Sequence, residues 1–300
     1  LNLAYQTVAE RHGYPLGVDG QRCGLDHKAF AVIGYGKLGG IELGYGSDLD
    51  LVFIHDLDEQ SETDGTKRIS GAEFSIRVAQ KFMSLMTTQT LDGRVYEIDT
   101  RLRPSGDAGM LVTSVKAYAQ YQQKSAWLWE HQALVRARSI AGDLQLCQKF
   151  EQTRCQILTQ VRDENEVRAE VLKMRQKMKD HLGSSSDQKK HGIFHLKQDA
   201  GGIVDIEFMA QYAVLAWSGS NPDLAHFSDN VRILEDAARA GCLSSEDATA
   251  LIQAYLRERA ESHRLALANQ SMQVHAADWH DTRKIVCKLW QRLIDPTATA

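Results

Sequence analysis

Asp48 and Asp50 open the run DLDLVFIH, a short distance after Gly39-Gly40. Residues two apart on a strand project from one face, so both carboxylates share a side. Two carboxylates about 4–5 Å apart repel by roughly 3–4 kcal/mol at an effective dielectric of about 20. A hard cation with oxygen ligands removes that repulsion, and Mg2+ is the usual one. Asp99, in a later alternating stretch, adds a third carboxylate. Three on adjacent strands can hold two ions for a phosphoryl-type displacement, one on a triphosphate and one on an attacking hydroxyl.

Around this trio lie the groups a triphosphate needs. Gly39, Gly40 and Ser47 let backbone N–H groups approach phosphate, and Lys37 supplies positive charge. Arg101 and Arg103 alternate with Asp99 and are expected to face the same cleft. The competing reading of these arginines is ion pairs with Glu97 and Asp99. Gly34-Tyr-Gly36-Lys-Leu-Gly39 also matches the dinucleotide fingerprint GxGxxG. Two features oppose that fold. About a dozen residues between the strands leave no room for a crossover helix, and the acidic pair begins the second strand instead of ending it.

Elsewhere the chemistry is thinner. Asp205 and Glu207 form a candidate second carboxylate site after Gly201-Gly202, against the plainer reading of acidic residues stabilised at a helix start. His191 and His195 lack a third ligand and read as surface histidines. The Trp127–Gln132 run reads as packing, Met174 and Met178 as core, and Arg136 and Arg138 as residues on different faces of one helix.

The elements that must position these groups follow from the apolar pattern. Strands are expected at 30–33, 48–55 and 94–103, and helices at 1–13, 71–86 and 114–140. Beyond about residue 143 the only strand pattern is 192–196. Helices are expected at 146–161, 163–182, 204–217, 229–240, 245–268 and 280–294, with a loop over 183–190. Ser244-x-x-Asp247 and Gly241 support that division. The expectation is an α+β catalytic domain over 1–145, a mixed sheet with helices, and a mostly helical domain over 146–300.

Three hundred residues suit two domains. A net charge of −4 lowers the prior for a nucleic-acid partner, and none is expected. No apolar run approaches the roughly 18 residues of a membrane span. Five cysteines without a CxxC pair read as reduced, buried cytosolic thiols. The start at Leu1 without methionine points to a fragment of something longer.

Four stretches, GYGKLGGIELGYGSDLDLVFIHD, YEIDTRLRPSGDAGMLVTS, WEHQALVRAR and KQDAGGIVDIEF, resemble the bifunctional glutamine synthetase adenylyltransferase/adenylyl-removing family. That family belongs to the DNA polymerase β-like nucleotidyltransferase superfamily. The resemblance implies two homologous units in a parent chain: one moves AMP from ATP to a tyrosine of glutamine synthetase, the other removes it by phosphorolysis. Arg101–Gly106 followed by AGMLVTS resembles the adenylylating unit, since the removing unit typically carries Phe where Ser105 stands. Carried over to this chain, the resemblance implies metal-binding Asp48 and Asp50, a third active-site carboxylate at Asp99, and triphosphate contacts from Gly39, Gly40, Ser47 and Lys37. It further implies a cytoplasmic enzyme using Mg2+ and ATP, with PII signal-transduction protein and glutamine as regulators. The rival readings are the removing reaction, a non-catalytic ATP–Mg sensor and a nicotinamide-dependent oxidoreductase.

Overall fold

The computed structural model describes residues 1–89, 91, 93 and 96–296. Within them the chain forms two compact units, Leu1–Ile157 and Leu158–Ala300.

The first unit is built on an antiparallel pair, β1 (Phe30–Gly34) and β2 (Leu49–His55). Its outer edges are β5 (Arg138–Gly142), antiparallel to β1, and β3 (Ile98–Asp99) and β4 (Val112–Ser114), both parallel to β2. The antiparallel β1–β2 pairing and the single-turn α2 (Gly36–Gly39) between the two strands are incompatible with a dinucleotide crossover.

Leu49, Leu51 and Phe53 of β2 join a core with Phe30 and Val32 of β1, Tyr5 of α1 (Asn2–His12), and Phe74, Val78 and Phe82 of α3 (Gly71–Met86). The apolar spacing of α3 places these three side chains on one stripe, and Ser70 caps its start by accepting from Glu73 N at 3.2 Å. Asp50, Val52 and Ile54 face the opposite way. Val52 and Ile54 are buried, whereas Asp50, near the strand's beginning, is only half-buried. The strand thus runs from an open mouth into a closed interior, and Asp50 lies near the mouth, with Asp48 just before it.

Two expectations are corrected here. The strand over 94–103 contracts to Ile98–Asp99; Arg94 and Val95 lie outside the described residues. Asp50 pairs with Asp99 and Phe53 with Val112, so three residues along β2 correspond to thirteen along its edge. The surplus leaves the sheet as a loop containing Ser105 and Gly106, both at positive φ. The helix over 114–140 is three elements: α4 (Val115–Lys124), α5 (Leu128–Val135) and β5. The break is specified locally, because the Glu130 carboxylate accepts from Trp127 N at 2.9 Å and from the Tyr121 hydroxyl at 2.8 Å. Arg136 is therefore a helix cap and Arg138 a strand residue, and Trp127 and Trp129 stand exposed instead of packed. The unit's last helix is α6 (Leu144–Leu158).

In the second unit, α9 (Ile203–Trp217) is buried along most of its length and packs against α7 (Glu164–Leu182), α10 (Asn230–Arg239), α11 (Ser245–Leu267) and α12 (His280–Leu293). A small antiparallel pair, β6 (Ile193–His195) and β7 (Gln273–His275), lies beside this bundle. The expected loop over 183–190 contains α8 (Ser186–Lys190), nucleated by a reciprocal Ser185–Gln188 capping box. Met174 and Met178 are half-buried, and the core position between them on α7 is Arg175. All five cysteines are free thiols; Cys23 is buried and Cys155 exposed. No helix among the described residues is long and apolar enough to cross a membrane.

Candidate active site

Asp48 is exposed, Leu49 is inserted in the core and Asp50 is half-buried. Asp50 is the second residue of β2, and Asp48 immediately precedes the strand. Asp50 and Asp99 are register partners across the parallel β2–β3 pair. On its other side, the Asp50 carboxylate lies against Gly36: a Cβ added there would stand 2.5 Å from Oδ2. Gly36 also has φ +54°, a left-handed conformation that disfavours a side chain.

Lys37 and Ser47 come together at the mouth of the β1–β2 loop. Lys37 Nζ donates to Ser47 Oγ at 3.3 Å, and Gly44 N donates to the same hydroxyl at 3.2 Å. The loop is thereby folded over the short helix, with Ser47 buried one residue before Asp48.

Gly39 and Gly40 have a packing reason to lack side chains. A Cβ on Gly39 would overlap the carbonyl oxygens of Arg136 and Gly34, and one on Gly40 would meet the Arg136 guanidinium at 2.9 Å. Arg136 forms a buried ion pair with Glu42, while Arg138 donates to the carbonyls of Gly39 (3.2 Å) and Leu38 (3.3 Å). Two arginines from the α5–β5 segment thus clamp the turn that precedes the carboxylates.

Arg101 and Arg103 play different parts. Arg101 grips Asp99: its backbone N–H donates to Oδ1 at 2.8 Å, Nε lies 2.8 and 3.0 Å from the two oxygens, and Nη2 donates to Oδ2. This fork holds the Asp99 carboxyl below the usual carboxylate range. The ion-pair reading of Arg101 describes this state. Arg103 turns away and ties its own loop, reaching Thr100 O (2.9 Å), Thr100 Oγ1 (3.0 Å), Asp107 and Gly109 O (3.3 Å). Among the described residues, no three His, Cys, Asp or Glu side chains converge closely enough to hold a metal ion.

The second-unit pair is separated by its helix. Asp205 and Glu207 are two apart on α9, so they point to different faces. Asp205 is buried, accepts Arg175 Nε at 2.5 Å and Gly201 N at 2.7 Å, and lies 3.6 Å from Lys179 Nζ; Glu207 is half-buried. His195 is half-buried, and its Nδ1 accepts from the backbone of Lys197 (3.2 Å) and Gln198 (3.3 Å), which braces the turn before Gly201. His191 is exposed.

Sequence reasoning missed Arg136, Arg138 and Glu42 as the supports of the glycine turn. Their signal was the strand character of the RSIAG segment, obscured by the helical pattern before it.

Residues 1–153 match the family model for glutamate-ammonia ligase adenylyltransferase, and residues 172–275 that for GlnD PII-uridylyltransferase. The chain is 83% identical over 299 residues to the bifunctional glutamine synthetase adenylyltransferase/adenylyl-removing enzyme of Acinetobacter baylyi, covering 100% of this chain and 32% of that protein. It is 50% identical over 301 residues to the enzyme of the same name from Pseudomonas aeruginosa, covering 98% of this chain and 30% of the relative. The chain thus spans about a third of the length of these relatives.

Proposed function

The chain belongs to the glutamate-ammonia ligase adenylyltransferase family, and from that premise we propose that it transfers AMP from ATP to a tyrosine hydroxyl of glutamine synthetase, with release of pyrophosphate. The observation that carries this reading is the apposition of Asp50 and Asp99 on neighbouring strands, with Asp48 one residue before β2 and a glycine turn beside Asp50. We assign the first unit to the polymerase β-like nucleotidyltransferase fold, which the mixed sheet supports.

The donor set is all oxygen and anionic, which fits Mg2+. Asp48 and Asp50 would hold the ion, with Asp99 as the third carboxylate. Bound there, Mg2+ supplies charge neutralisation to the triphosphate and to the leaving pyrophosphate. Lys37, beside Ser47 and Gly44, adds positive charge at the loop mouth, where the β- and γ-phosphates would lie. The buried Arg136–Glu42 pair and the Arg138 clamp keep the turn from shifting as the triphosphate binds. In-line attack by the tyrosine oxygen then proceeds on an α-phosphorus positioned by groups already in place.

The same carboxylates would serve phosphorolytic removal of AMP, the second activity in the relatives' name. Ser105 in the Arg101–Gly106 segment favours transfer. The helical unit, with its uridylyltransferase-like stretch, would face glutamine synthetase or the regulators, PII protein and glutamine. Incubation with glutamine synthetase, Mg2+ and α-labelled ATP tests the proposal. Label on the synthetase supports transfer, whereas phosphate-dependent ADP release from adenylylated synthetase supports removal. Nucleotide binding with neither product indicates a sensor.

A further inference from the structure

Asp99 presents a conflict. It is the register partner of Asp50, yet both its carboxylate oxygens are engaged by Arg101. A divalent cation and a guanidinium fork demand the same lone pairs, and one carboxylate cannot serve both at full strength. We propose that Arg101 is a displaceable internal cation: it occupies Asp99 while the site is free of divalent ions, and on their binding it turns to the phosphates of the nucleotide. This inference rests on reading Asp48, Asp50 and Asp99 as the cation site.

The geometry makes the exchange cheap. The Arg101 side chain is 73% exposed, while that of Asp99 is 19% exposed, so the arginine covers the carboxylate from the solvent side. Its departure breaks no core packing. The backbone N–H of Arg101 also donates to Asp99 Oδ1, a bond that does not require the guanidinium and so can keep the carboxylate aimed after the swing. The loop is anchored independently by Arg103, whose side chain is 12% exposed and reaches both ends of the excursion, at Thr100 and Gly109. Arg101 can therefore change partners without the loop changing shape.

The exchange has a signature that a purely structural pair lacks. Removing Arg101 should tighten cation binding and weaken nucleotide binding, two effects of opposite sign. The test is a nucleotide-free Mn2+ titration of the 300-residue chain, followed by electron paramagnetic resonance. It is paired with binding of a non-hydrolysable ATP analogue in saturating Mn2+. Arg101→Gln is expected to bind Mn2+ about fivefold more tightly than wild type, the scale of one well-formed exposed ion pair, and the analogue more weakly by a similar factor. Arg101→Lys keeps the charge but loses the fork, so Mn2+ affinity like that of Arg101→Gln supports the latch. Affinity like that of wild type overturns it. Equal Mn2+ affinity in wild type and Arg101→Gln, with binding abolished in Asp50→Asn, overturns the latch alone. Failure of either protein to bind Mn2+ overturns the cation-site reading and the latch with it.

Discussion

Gly36 and Asp50 are in direct apposition: the turn after β1 passes so close to the carboxylate that a Cβ on Gly36 would lie 2.5 Å from Asp50 Oδ2. The carboxylate itself requires a glycine at position 36. The glycine makes room for the carboxylate, and its φ of +54° shapes the turn that does so.

Gly36→Ala should therefore damage the site more than the fold. The left-handed backbone costs about 1–2 kcal/mol, and the methyl group pushes the Asp50 carboxylate aside. AMP transfer should fall by at least about tenfold, since a displacement of about 1 Å costs up to about a hundredfold. A thermal melt on the same sample should show a decrease of only a few degrees.

Gly39→Ala should behave in the reverse way. Its Cβ meets two backbone carbonyls, of Arg136 and Gly34, and backbone cannot yield as a side-chain tip can. Overpacking of this kind costs about 1–3 kcal/mol, in addition to any loss of activity. The ratio of activity lost to stability lost, measured for both variants, should be larger at position 36.

The Arg136–Glu42 pair is buried on both sides. Arg136→Met should cost about 3–5 kcal/mol in urea unfolding, because it removes the guanidinium from a buried carboxylate. Combining it with Glu42→Leu should recover part of that loss, and a double-mutant cycle gives the coupling directly. Additive costs would show that the pair contributes nothing beyond its separate contacts.

Glu258 lies on α11 at 0% exposure, and among the described residues neither of its carboxylate oxygens has a hydrogen-bond partner. Burial, reinforced by Asp205, pushes its pKa up to about 9 from the ordinary 4.5. Between those values the folded chain holds a proton that the unfolded chain has released. Stability from this group is fully present below pH 4.5 and falls as pH rises toward 9, by up to about 1.4 kcal/mol per pH unit. Glu258→Gln removes the titration. Its unfolding free energy relative to wild type should rise by up to about 2–3 kcal/mol between pH 6 and pH 8.

The legible parts of this chain were those governed by local periodicity. Helices 71–86 and 163–182 and the strand over 48–55 follow from apolar spacing, and the structure places them within a residue, the strand starting at Leu49 just after Asp48. Alternation also placed Asp99 on a strand, where it lies, although only two residues of that strand pair. What the pattern could not reveal was set by long-range partners. Residues 138–142 become a strand because β1 offers an edge, and Arg136 becomes buried because Glu42 meets it from 94 residues away. The same holds for Asp205, whose helix-start position concealed a buried partner on α7.

The proposed role of Asp50, in a site that moves AMP onto a tyrosine hydroxyl, is tested by label transfer with Asp50→Asn. Wild type and variant are incubated with glutamine synthetase, Mg2+ and α-labelled ATP, and folding is checked by circular dichroism. Labelled synthetase is expected with wild type and a loss of at least about a thousandfold with Asp50→Asn, the scale of a removed charge-stabilising group, with both proteins equally folded. Near-normal label transfer by folded Asp50→Asn would contradict it.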